Sequence, residues 1–270
     1  MRIFPFHLLI LATLAVAMAA EPTGKADVFE GKLFTNAANE TLAYRLYAPA
    51  NIPDKQKLPL VVFLHGNGAQ GNDFLDSNGR PWAAEHDVFT KDQANHPCFV
   101  LRPRCRLHQR WASVVWERGP QPQVEITQSM RLMLELIDVL ERELPIDSDR
   151  IYLGGFSMGG YGTWDAITRQ PSRFAAAFPI SGGGDPTKVA AVSHLPIWAF
   201  HGDADTVVPP LGSTAMVKAL TAAGGSAKLT IGPGISHVTM LSVALATPGL
   251  GEWLFAQRSA AKRDAAAPGR

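Results

Sequence analysis

Neither sign of charge dominates this sequence: 25 lysines and arginines stand against 24 aspartates and glutamates, a formal net charge of +1. Beyond short clusters such as RPRCR there is no run of like charge, which removes the electrostatic case for nucleic acid or an acidic membrane surface. Cysteine is nearly absent, with only Cys98 and Cys105. If CFVLRP is an extended strand, the two lie about 23 Å apart, far beyond the ~7 Å Cα limit for a bridge. Two reduced, partly buried thiols are therefore expected, and only a chain reversal after Pro103 would let them pair. No set of His, Cys, Asp or Glu has metal-ligand spacing, so no metal is expected. The glycine-rich segment LHGNGAQG lacks the Lys-Ser/Thr of a phosphate loop, there is no strong dinucleotide fingerprint, and no cofactor is expected.

Long apolar runs are also missing, with one exception. Arg2 precedes an apolar stretch from Leu8 to Val16 that ends in Ala17-Met18-Ala19, the pattern of a secretory signal over residues 1–20, cut near Ala19 or Ala20. A retained anchor is the alternative, although the run is short against the ~20 residues of a membrane span. The mature chain is expected to be soluble, secreted or periplasmic, without stable membrane insertion. At 270 residues and 46% hydrophobic, it can bury one sizeable core, assigned to residues 27–257. The tail, 258–270, is small and charged and is expected to be disordered.

What is present is a succession of short apolar runs. VFEGKLFTN and TLAYRLYAP, separated by AANE, predict an antiparallel hairpin at a sheet edge. LPLVVFLHG, PCFVLRP, DRIYLGGF, FAAAFPISGG, LPIWAFHGD and AKLTIGPG are continuous rather than alternating, as parallel strands covered on both faces are. Ile126, Met130, Met133, Ile137, Leu140 and Leu144 form one helical stripe ending at Pro145, after which IDSD is read as a turn. Further helices are predicted over 157–170 and 213–223, and near the C-terminus with a break at Pro248-Gly249. Strand and helix in alternation imply an α/β fold with a mostly parallel central sheet. Two segments, 66–95 and 103–123, fit neither period and are read as functional or mobile loops.

One strand, RIYL, runs into Gly155-Phe156-Ser157-Met158-Gly159 and then a helix. Glycines on both sides let the backbone turn sharply and leave the serine clear of the sheet, at a helix N-terminus that favours developing negative charge. The bland alternative is a tight turn with an N-capping serine. A serine hydroxyl needs a base, and His237, expected in a loop after AKLTI, is the histidine that follows the acidic candidates. Asp205 is the preferred acid. Asp203, read as shaping its own loop through an Asx turn, and Asp185, which leaves a strand nearer the serine's own, are the other choices. Donors for an oxyanion would be the N–H of Met158 and, from the loop after Leu64, that of Asn67. His65 and His201 end strands before glycine and read as loop-shaping hydrogen bonders, His65 also as a candidate substrate contact. Trp111, Trp116 and Glu117 lie in an irregular segment that could wall an open site. Tyr161, Gly162, Thr163 and Trp164 are read as packing residues.

FLHGNGAQGND, RIYLGGFSMGGYGTWDAITRQPSRFAAAFPISGGGDP and HGDADTVVP followed by SH together resemble the α/β-hydrolase superfamily. Within it they resemble the compact phospholipase/carboxylesterase and dienelactone-hydrolase-like group, which includes secreted proteins labelled predicted peptidases and feruloyl or acetylxylan esterase-like enzymes. The resemblance spans residues 58–253 and implies an α/β-hydrolase fold without a large lid domain. It also implies a triad of Ser157, Asp205 and His237, with an oxyanion hole at Asn67 and Met158. Serine stands where a dienelactone hydrolase proper carries cysteine, which weakens that substrate assignment. The expectation is a secreted serine esterase acting on small-molecule or polysaccharide-linked esters, short acyl or aryl (feruloyl or acetyl). A serine peptidase and a catalytically inactive binding module are the competing readings.

Overall fold

The structure is a computed structural model that describes residues 29–50, 52, 54–72, 88–115 and 119–259. The expected signal segment, Trp116, Glu117 and residues 260–270 lie outside the described residues.

The hairpin forms as the sequence predicts. β1 (Glu30–Thr35) and β2 (Thr41–Tyr47) pair antiparallel. Between them Asn36 Oδ1 accepts from the N–H of Ala38 and Glu40, the local side-chain turn that asparagine favours. β2 then pairs antiparallel with β4 (Phe99–Pro103). From β4 the sheet is parallel through β3 (Leu58–Leu64), β5 (Ile146–Phe156), β6 (Ala176–Ile180), β7 (Ile197–Gly202) and β8 (Ala227–Gly232). The strand order is β1-β2-β4-β3-β5-β6-β7-β8.

Alternate residues of each strand feed two cores, one on each face of the sheet. Leu58, Leu60, Val62 and Leu64 join the larger cluster, with helices α1 (Gln128–Glu143) and α2 (Met158–Arg169). Val61 and Phe63 join the smaller one, with α4 (His237–Leu245) and α5 (Leu250–Phe255). α3 (Leu211–Ala222) covers the larger core beside β8. The cysteines divide between the two compartments, Cys105 in the larger and Cys98 in the smaller, so the sheet itself stands between them.

Two local expectations change. The stripe from Ile126 to Leu144 is helical only over α1, because Thr127 caps it by accepting from the N–H of Met130 at 3.2 Å; Ile126 and Leu144 pack on the core from outside the helix. IDSD is not a turn before β5 but an irregularity inside it. Leu58 pairs with Ile146 and Leu60 with Ile151, so β5 carries three more residues than β3 over this stretch, as a bulge does. Asp147 holds it together, accepting from the N–H of Asp149 at 3.1 Å and from Arg150 Nε at 2.7 Å. The first two tail residues are ordered rather than loose: the N–H of Ser259 donates to the Asp149 carbonyl at 2.8 Å, and Arg258 pairs with Asp147.

After β3 the chain crosses to β4 on one side, whereas after β5 it crosses to β6 on the other. Loops that leave adjacent strands in opposite directions open a crevice at the strands' C-terminal ends. In this protein that crevice lies between the ends of β3 and β5.

Candidate active site

Ser157 stands at the mouth of the crevice, between the last residue of β5 and the first of α2. Its backbone has φ 57° and ψ −116°, a conformation that costs a residue with a side chain and that persists only where the surroundings impose it. They do so here. The N–H of Ser157 donates to the Ile180 carbonyl at 2.9 Å, and α2 presses so closely on the sheet that a Cβ at Gly159 would sit 2.0 Å from the Leu64 carbonyl oxygen. A Cβ at Gly155 would sit 2.4 Å from the Gly159 oxygen. Although Ser157 occupies the capping position of α2, its side chain makes no cap bond.

The hydroxyl meets His237 instead, with Nε2 2.9 Å from Ser157 Oγ and Nδ1 2.6 Å from Asp205 Oδ2. His237 is not in a loop, as the sequence suggested, but opens α4. The turn after β8 ends at Ser236, whose extended backbone caps the helix, so the imidazole projects from a fixed helical start. The ring lies against Phe156, centroids 4.8 Å apart. Ser157, Asp205 and His237 are each less than a tenth exposed, and water screens their interactions poorly.

Asp205 is held on all sides. Oδ1 accepts from the N–H of Val207 at 2.9 Å and Val208 at 2.8 Å, while Oδ2 accepts from His237 and, at 3.2 Å, lies beside His201 Nε2. Burial works to raise the carboxyl, but the hydrogen bonds from His201, His237, Val208 and Val207 outweigh it and hold the group well below the usual carboxylate range. Asp205 thus makes the local turn that the sequence assigned to Asp203. Asp203 reaches across to the next loop, accepting from the N–H of Gly234 at 2.6 Å. Asp185 is occupied elsewhere, by Thr187 and the N–H of Gln123.

The loop after β3 faces the serine: a Cβ at Gly66 would lie 3.4 Å from that of Ser157. Among the described residues, the backbone N–H groups of Asn67 and Met158 have no acceptor. The two residues are tied together by Gln70, which the sequence did not single out. Its Nε2 donates to Asn67 Oδ1 at 2.7 Å and lies 3.7 Å from Met158 Sδ, and its Oε1 accepts from the N–H of Gly68 at 2.7 Å. Arg104, also missed, braces the same loop by donating to the carbonyls of Ala69 and Gln70.

His65 and Trp111, offered as substrate contacts, are engaged within the fold, His65 as the loop-shaping hydrogen bonder that the sequence suggested. His65 Nδ1 meets the Gly66 carbonyl at 2.7 Å and Nε2 accepts from the N–H of Cys105 at 2.9 Å, which occupies both ring nitrogens. Trp111 is fully buried and donates to the His65 carbonyl at 3.2 Å. Together they lock the β3 loop against the segment after β4. Trp116 and Glu117 fall outside the described residues. Tyr161, Gly162, Thr163 and Trp164 are buried in α2, as packing residues are. Among the described residues no group of three or more His, Cys, Asp or Glu could hold a metal ion, and no helix is long and apolar enough to cross a membrane.

The chain is 28% identical over 163 residues to a bifunctional acetylxylan esterase/xylanase of Neocallimastix patriciarum, an alignment that covers 60% of this chain and 21% of that protein. A crystal structure of a thermostable esterase superposes with a TM-score of 0.75 at 35% identity, covering 86% of this chain and 64% of the other. The Pyrococcus horikoshii acylaminoacyl peptidase, 19% identical with a TM-score of 0.58 over 82% of this chain and 40% of its own, shares the fold. The chain thus spans less than two thirds of the length of each of these relatives. A phospholipase/carboxylesterase family model matches residues 49–243. That match takes in the β3 loop, the serine turn, the acidic loop and the histidine, and the chain belongs to the phospholipase/carboxylesterase family of α/β-hydrolases.

Proposed function

We propose that the protein is a serine esterase that cleaves short acyl or aryl carboxylic esters, acetyl or feruloyl groups on plant polysaccharide among them. The observation that carries this reading is the unbroken hydrogen-bond series Ser157–His237–Asp205 at the sheet's C-terminal edge. Ser157 Oγ attacks the ester carbonyl as His237 Nε2 takes its proton, and Asp205 holds the ring in the tautomer that leaves Nε2 free to accept. Negative charge then develops on the former carbonyl oxygen, facing the N–H groups of Met158 and Asn67. His237 returns the proton to the departing alcohol oxygen and the acyl group stays on Ser157. Water, deprotonated by the same histidine, attacks the acyl carbon, and the acid leaves with Ser157 restored. The acetylxylan esterase relative supports an acetylated polysaccharide as substrate.

The test is turnover of p-nitrophenyl esters from acetate to palmitate, and of a feruloyl ester, by the mature protein and by Ser157→Ala. Turnover of the short or feruloyl esters should fall on the order of 10⁴-fold or more in the variant. Equal rates in both proteins would reject Ser157 as nucleophile, and silence from both would favour a peptide substrate or a binding role. We also propose export through the N-terminal segment, for which the mass of the exported chain should begin after Ala19 or Ala20.

A further inference from the structure

A second histidine shares the candidate triad's carboxylate. His201, the penultimate residue of β7, is fully enclosed. Its Nε2 lies 3.2 Å from Asp205 Oδ2, the same oxygen that accepts from His237 Nδ1 at 2.6 Å. Nε2 is also 3.0 Å from the Val208 carbonyl. Both neighbours can only accept, so Nε2 carries the proton. On the far side Nδ1 meets the Ser213 hydroxyl at 2.8 Å, and that hydroxyl also lies 3.0 Å from the Gly182 carbonyl. The ring is fixed at both ends, by the loop after β7 and by the first turn of α3.

We propose that His201 is a positioning residue of the site: it fixes the Asp205 carboxylate toward His237 and, by sharing Oδ2, limits how much negative charge the His237 ring receives. This rests on the esterase reading above for its catalytic meaning, but the electrostatic part stands on the contacts alone. A carboxylate oxygen that donates electron density into two N–H bonds offers less to each. Without His201, Oδ2 would face His237 alone, the protonated ring would be better stabilised, and His237 would hold its proton to higher pH.

The groups that face these three side chains are few. From α4 comes His237, from β5 and its turn Phe156 and Ser157, from the β7 loop the N–H groups of Val207 and Val208 and the Val208 carbonyl, and from α3 Ser213. The described residues bring no further ionisable group into hydrogen-bond or ion-pair contact with Asp205, His201 or His237. A displaced titration of His237 would therefore have one source.

The experiment compares wild type with His201→Phe, which fills the space without donors, His201→Gln, whose amide can donate from a similar position, and Ser213→Ala, which frees Nδ1 of His201 and leaves the triad untouched. The His237 ring is titrated by NMR in each, and kcat, KM and the pH–rate profile are measured on a p-nitrophenyl ester. In His201→Phe the His237 titration and the acid limb of kcat/KM should both move up, by about half a pH unit or more. kcat should fall as much as ~10²-fold with KM little changed. His201→Gln should recover most of both, and Ser213→Ala should move the titration the same way by less. An unmoved or lowered His237 titration in folded His201→Phe overturns the proposal, as does a glutamine variant as impaired as the phenylalanine one. If His201→Phe does not fold, an unmoved or lowered His237 titration in Ser213→Ala overturns it equally. Should wild type turn over no ester at all, the esterase reading fails while the NMR titration still decides the coupling.

Discussion

His65 is enclosed between the Gly66 carbonyl and the N–H of Cys105. Burial pushes its ring down to about 4, the Arg104 charge adds to that, and the bond to Gly66 opposes it. An unfolded chain takes up the same proton near 6.5. Between those values the unfolded chain binds more protons than the folded one, so stability falls as pH drops through this window, by on the order of 3 kcal/mol once pH is below 4. Urea unfolding at pH 7, 5.5 and 4 should show the loss, and His65→Gln should flatten the slope; equal slopes would remove His65 as the cause. The predicted residues that the structure brings together share a trait with each other. The glycines flanking Ser157 and the turn after β7 that carries Asp205 are local constraints, visible within a few positions. His65 does shape its loop, as read from the sequence, but the partners that enclose His65 and Trp111 lie 40 and 46 residues away, beyond what spacing reveals. Arg104, whose partners lie 35 and 34 residues away, and the contact of Gln70 with Met158, 88 residues away, escaped for the same reason.

Among the elements, the β1–β2 hairpin sits at the sheet edge and depends on a side-chain clasp with α1. Glu40, in its turn, accepts from Arg131, Asn36 and Gln128, and these bonds hold its carboxyl at about 2 against an ordinary 4.5. The clasp is at full strength above pH 4.5 and is lost as pH falls toward 2. Glu40→Gln should lower the melting temperature at pH 7, with the gap to wild type narrowing as the pH is lowered to 3; a constant gap would mean that the charge is irrelevant. Strand identity was legible because β3, β4, β6 and β7 are buried at every residue and so read as largely continuous apolar runs. The bulge in β5 was not, since Asp147, Ser148 and Asp149 have turn composition and only pairing with β3 reveals them as strand. Nor was the start of α4. Its apolar residues, Val238 to Leu245, surround the helix rather than striping one face, so no 3.6-residue period marks His237 as its first position.

At the scale of the molecule, alternating runs were enough to give the fold class, but not the strand order that sets the crevice between β3 and β5. That order depends on crossovers, which leave no periodic trace. The order also makes the sheet a partition. Cys105 is packed on one side of it, its thiol pushed up to about 12 by burial, and Cys98 on the other, beside Gln93 Nε2 at 3.3 Å. A thiol reacts as thiolate and only when a reagent can reach it, so both should be silent in the native protein. The chain thereby carries one built-in reporter for each half of its interior. Timed alkylation in intermediate urea, read by peptide mass, should label Cys98 and Cys105 in step if the two halves give way in a single event. Labelling of one well before the other would show a sheet that can lose one covering layer of helices and keep the second.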